Sequence, residues 1–321
     1  MMGTSISVHH EERITLTAAQ YRNRNWLPAC VLLAGLICGA TRSAVAQKET
    51  PTPRPASVVA RPSVEPTLDL AFRDMYNLEF DAALRKTEEA KALDAQDPTP
   101  WMAQACAVLF REFNRLHILT SEMFASDEKF DARPVQTWDA ASKKQFEEAA
   151  SAAEKIAQKR LDRDKNDEKA LFVLTMVNGL RADDAALISK KNLAALSYTK
   201  AAEGFAERLL ARAPEYYDAH IATGMGKYII GGKAAPVRWM LRLGGLKGDQ
   251  AEGVRELGLV ADHGHYLASF AQILLSFDDL RHKNTTSARK RLSALHNQFP
   301  NNPLFVQEMA KLDQPAAGAG H

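Results

Sequence analysis

Cysteine is scarce in this chain, with only Cys30, Cys38 and Cys106. Two of them fall in an N-terminal segment that reads as removable. Cys106 would then stand alone and no intrachain disulfide could staple the fold. Neither Cys30 nor Cys38 has a convincing lipoprotein context. An excess of one charge is also missing: 41 Lys and Arg against 39 Asp and Glu leave a formal net charge of +2. That is too small to suggest the dense basic face a nucleic acid requires. Period-2 alternation never persists long enough for a convincing strand. The longest apolar run, residues 27–40, is about 14 residues, short of the ~20 that span a bilayer core. Catalytic signatures are absent too. Gly224-Met225-Gly226 lacks a third glycine and lies in a helical pattern, and there is no G-x-S-x-G or H-E-x-x-H. No catalytic residue, metal or cofactor is expected.

What is present begins with a targeting pattern. Arg22 and Arg24 precede the apolar run, which leads to Ala44-Val45-Ala46, an A-x-A cleavage signal. Residues 1–46 therefore read as a signal peptide cut before Gln47, and the protein as exported to the periplasm or cell envelope of a Gram-negative bacterium. The competing reading is an uncleaved anchor or a buried helix. Pro51, Pro53, Pro55, Pro62 and Pro66 mark residues 47–66 as a Pro-rich linker. Residues 67–313 form a helical domain, and residues 314–321 read as a disordered tail.

Within the domain, apolar residues recur at spacings of three and four, as in Ala170, Leu171, Leu174 and Val177. Thr99-Pro100 and Asn302-Pro303 place a capping residue before a first-turn proline, and Asp249 with Glu252 forms a capping-box pattern. Short turns between helices imply antiparallel neighbours. A degenerate repeat of helix pairs emerges. Phe80 to Leu93 reads as a second helix and Trp101 opens the next first helix. Leu161 to Asp167 closes another unit, as does Ala213-Pro214, and Phe299-Pro300-Asn301-Asn302 closes the last clear one.

These stretches resemble tetratricopeptide repeat (TPR) proteins over roughly residues 68–312. The match extends to a group of exported TPR-like proteins of acidobacterial type. The carrying motifs are Asp164-x-x-Asp167-x-x-Ala170-Leu171-Phe172, the run from Gly224 to Gly231, Lys247-Gly248-Asp249-Gln250-Ala251-Glu252-Gly253, and Phe299-Pro300-x-Asn302-Pro303-Leu304-Phe305. Residues 120–137 match poorly, a long connection replacing a tight turn. The resemblance implies an all-α, TPR-like α-solenoid of about four to five antiparallel helix pairs. It implies a scaffold and no catalytic residues.

Candidate sites follow from this arrangement. First helices of TPR pairs line a concave groove, and on them sit Arg73, Asn77, Arg111, Asn114, Arg115, Asn178, Arg181 and Lys227. Arg and Asn suit a peptide's carboxylate and backbone, so a protein or peptide partner is expected. The alternative is that these are ordinary exposed helix positions. Residues 231–247 form a second candidate, bracketed by Gly231-Gly232 and Gly244-Gly245. There Arg238 and Arg242 share one helical face beside Trp239, which suits peripheral membrane contact or a partner's groove. The alternative is a segment that folds back to cover the core. Asp262-His263-Gly264-His265 is metal-like in composition but reads as a polar interhelix turn. Adjacent carboxylates such as Glu88-Glu89 point apart on a helix. The reading is an exported scaffold, with a structural subunit of an envelope assembly as the alternative and a metal-dependent enzyme behind both.

Overall fold

The computed structural model describes residues 63–313, except 125–131, 133, 234, 244 and 246. The expected signal peptide, most of the proline-rich segment and the tail from Gln314 lie outside the described residues. Every regular element among the described residues is helical. The first helix, α1 (Glu65–Tyr76), begins inside the expected linker. Pro66 sits in its first turn, where a missing N–H breaks no intrahelical bond. Then follow α2 (Phe80–Leu93), α3 (Thr99–Arg115), the single turn α4 (Ser121–Phe124), α5 (Ala140–Arg163) and α6 (Glu168–Asp183). After these come α7 (Asn192–Leu210), α8 (His220–Gly231), α9 (Ala235–Leu243), α10 (Gln250–His263), α11 (Ala268–Arg281), α12 (Thr285–Gln298) and α13 (Pro303–Leu312).

Side-chain caps start several of these helices. Asp139, Asp167, Asp249, Asn284 and Asn302 each accept a backbone N–H from the first turn. Each satisfies a donor that the helix itself leaves without a partner. Thr99 departs from expectation. Its own N–H donates to Asp97 Oδ1 at 2.8 Å, so the acid two residues upstream organises the entry to α3. Several C-termini close without glycine. Leu78, His117 and Lys283 take φ near +60°, and the following N–H reaches back to Asp74, Phe113 and Asp279, respectively. These are Schellman-type turns, with a left-handed residue that has no glycine to announce it.

Consecutive helices pack on one another along the chain, and the first helices of successive pairs also touch, α1 on α3, α3 on α6 and α6 on α8. Helices α8 and α10 approach each other closely. A Cβ on Gly253 would lie 2.6 Å from the Tyr228 backbone nitrogen. The Gly224-to-Gly231 and Gly248-to-Gly253 motifs are therefore a backbone-to-backbone helix contact that any side chain would wedge apart.

The last pair returns to the first. Phe72 stacks on Tyr266 at 4.7 Å, Tyr76 packs on Phe299 at 5.1 Å, and Phe110 of α3 meets Phe270 of α11 edge-on at 5.6 Å. Tyr76 donates its hydroxyl to the Tyr266 carbonyl at 2.8 Å, and Asn302 Nδ2 donates to the Tyr76 carbonyl at 2.8 Å. This closure buries the helices between. Twelve of the seventeen residues of α3 and eleven of the sixteen of α6 are buried. Where the sequence pattern suggested a groove lined by first helices, α1 and α3 meet the α10–α11 side across a packed interior.

Candidate functional site

Residues 137–139, which precede α5, line a concavity against α3. Three hydrogen bonds hold residues 136–138. Gln136 N–H donates to the Ile188 carbonyl at 3.0 Å, Trp138 Nε1 donates to Asp184 Oδ1 at 2.7 Å, and Arg115 Nη2 donates to the Thr137 carbonyl at 2.8 Å. Behind them lies Glu112, 1 % exposed. It accepts Arg115 through both oxygens, at 2.6 and 2.9 Å, and the Asp139 N–H at 2.7 Å. A buried carboxylate needs such saturation, because leaving it unpaired costs several kcal/mol. Arg115 is thus fixed in place by an acid.

The result is a cleft of about 590 Å³ lined by Arg111, Glu112, Asn114, Arg115, Thr137, Trp138, Asp139 and Ser142. Arg111 reaches across it, donating from Nη2 to Gln145 Oε1 at 3.0 Å and to Ser142 Oγ at 3.4 Å. Its acidic neighbour Asp81 stands 3.7 Å away and is largely exposed. A solvated acid at that distance compensates a cation weakly, so Arg111 brings positive charge to the cleft. The N-terminus of α5 opens on the same side. Its cap Asp139 is held below the usual carboxylate range by hydrogen bonds from the Ser142 N–H and hydroxyl. Trp138 forms one wall, stacked on Phe146 at 5.4 Å, with Lys143 Nζ 5.0 Å from its ring centre.

Of the residues singled out from sequence, Arg111, Asn114 and Arg115 meet in this cleft. The others do not join them. Asn77 is buried, donating to the Arg73 carbonyl at 3.2 Å and accepting the Asn301 N–H at 3.2 Å, so it stitches the first pair to the last. Arg73 is exposed on α1. Asn178 is buried and donates to the Leu174 carbonyl within its own helix. Arg181 pairs with Glu154 at 2.8 Å. Lys227 belongs to a separate cluster between α8 and α10, bonded to Glu256 and 3.6 Å from Glu252. There burial, with Glu207 nearby, pushes Glu203 up to about 7. Sequence reading missed Glu112, Thr137, Trp138, Asp139 and Ser142. One signal was available, since Asp139 with Ser142 three residues on is a capping spacing ahead of an apolar stripe.

The second candidate, residues 231–247, contains α9. Arg238, Trp239 and Arg242 are all exposed, Trp239 at 65 %. Gly231 is the last residue of α8, and the Gln250 backbone nitrogen occupies the place a Cβ would need there. The polar turn after α10 divides its groups. His265 Nε2 pairs with Asp69 at 2.8 Å, while the His263 ring packs on Tyr217. No helix among the described residues is long and apolar enough to cross a membrane. Comparison of the chain with protein-family models, curated proteins and solved structures finds no match.

Proposed function

We propose that this chain is an exported, TPR-like helical-repeat scaffold that holds a protein or peptide partner in the cleft between α3 and α5. The observation that carries the reading is the pairing there of a weakly compensated Arg111 with a fixed aromatic wall, Trp138. A guanidinium facing a half-apolar cleft suits a peptide's terminal carboxylate with an apolar side chain beside it. Arg115 and Glu112 act as the frame, because their charges already satisfy each other. The reading assigns no catalytic step. The helix pairing and the contacts between first helices support the solenoid class, and the basic, apolar and A-x-A order at the N-terminus supports export.

The test uses a random-sequence peptide mixture with free C-termini and the same mixture amidated. Each is passed over the immobilised full chain. Free acids should be retained preferentially, and Arg111→Ala should abolish that preference without changing the melting temperature. Equal retention of acid and amide would refute the assignment.

A further inference from the structure

A second surface lies at the end of the molecule formed by the start of α7, the end of α8 and α9. It stands out first by charge. Residues 186–202 carry Lys190, Lys191 and Lys200 and no Asp or Glu. Residues 228–248 carry Lys233, Arg238, Arg242 and Lys247, again with no Asp or Glu. In a chain whose formal net charge is only +2, the remainder is acidic overall. Positive charge is therefore gathered here.

The structure brings the two segments together. Helices α7 and α8 pack with the position of a Gly226 Cβ against Glu203, and α9 folds back so that Arg238 donates to the Gly231 carbonyl at 3.1 Å. Beyond α9, the Cβ position of Gly245 lies 3.3 Å from Lys200 Nζ. Two acids that flank these segments in sequence have partners of their own. Asp184 is bonded to Trp138 and Lys143, and Asp249 caps α10.

Both segments also expose apolar side chains. Leu193 is 86 % exposed, and Trp239 and Ile229 also stand in solvent. Only Ala202, Ala206 and Leu209 of the nineteen residues of α7 are buried, all in its second half. Apolar residues ringed by cations on helices that lie across a surface form the pattern of an interfacial element. Lys and Arg meet anionic headgroups, while Trp and Leu enter the headgroup–acyl boundary.

We infer that the α7–α9 end docks on the surface of an anionic lipid bilayer, with Leu193 and Trp239 inserted and Arg238 and Arg242 against the headgroups. The inference does not depend on the peptide cleft, and the two are tested by different ligands.

The experiment is co-sedimentation of the full chain with vesicles of phosphatidylcholine alone and of phosphatidylcholine mixed with phosphatidylglycerol. The N-terminal apolar segment is common to every protein compared, so differences between variants report on this surface. Wild type should bind the anionic vesicles more tightly, and added salt should weaken that binding. The double change Arg238→Glu with Arg242→Glu should lower it at least about ten-fold. Leu193→Ser with Trp239→Ser should lower it as well, and both variants should melt like wild type because all four positions are exposed. Equal binding to neutral and anionic vesicles, or anionic binding unchanged in both variants, would overturn the proposal.

Discussion

Helices α6 and α7 are neighbours in the chain, similar in length and joined through a π-helical segment, Asp184–Ile188, yet they live in different surroundings. Eleven of sixteen residues of α6 are buried, against three of nineteen in α7. The first helix of the pair sits inside the closed array, with Phe172 packed on Tyr216 at 5.1 Å. The second helix buries residues only in its C-terminal half, while its N-terminal half is half-buried to exposed, with Leu193 in water. Core formation and solvent exposure are therefore divided between neighbours. An interior helix that is apolar on most sides makes the core, and an outer helix contributes to it with one face only.

The sharpest test of that contrast is a pair of truncations. Phe172→Ala removes a ring buried to 1 % exposure and should lower unfolding free energy by about 3–5 kcal/mol. Leu193→Ala should change it by less than about 0.5 kcal/mol. Similar losses in urea unfolding would erase the distinction. Next in size is Gly253→Ala between α8 and α10. Its new methyl would press on the Tyr228 backbone at 2.6 Å, and overpacking of this kind costs about 1–3 kcal/mol. A neutral outcome in the same assay would show that the two helices can part freely.

Acidity sharpens the picture from inside. Burial pushes Asp183, at the end of α6, up to about 7. An acid with a raised folded-state pKa keeps its proton where the unfolded chain has lost it. Stability is then greatest below the usual carboxylate range and falls as pH rises toward about 7. Asp183→Asn should therefore stabilise the protein by about 1–2 kcal/mol near pH 8, with the gain vanishing toward pH 4. Melting curves across that window check it, and a gain that grows on acidification would reverse the sign. The smallest effect lies at a turn. Lys283 is exposed at φ 60°, and glycine relieves left-handed strain, so Lys283→Gly should add about 0.5–1 kcal/mol. A loss of stability on melting would count against strain at that turn.

The all-helical class was legible because spacing and caps repeat along the chain. The ends of α2 and α12 and the start of α6 fall where turn residues placed them. The left-handed exits at Leu78, His117 and Lys283 were not, since backbone sign has no side-chain signature without glycine or asparagine. The closure of the last pair on the first was also hidden. Its contacts, Tyr76 with Tyr266 and Asn77 with Asn301, join residues far apart in sequence. Spacing alone puts Asn77 on a first-helix face, while its amide bonds across this seam. The cleft was half visible. Arg111, Asn114 and Arg115 recur on one helix face, while Trp138 and the buried Glu112 depend on how an irregular connection folds back. Periodicity says nothing about such a segment.

The division between interior and surface helices is tested most directly by amide hydrogen exchange on the full chain. Amides of residues 170–180, in α6, should exchange only through global unfolding, and those of residues 195–200, in the exposed half of α7, through local opening with far lower protection. Anionic vesicles should slow exchange in residues 195–200 and in α9 while leaving α6 unchanged. Equal protection of α6 and the first half of α7 in the free protein would contradict the account.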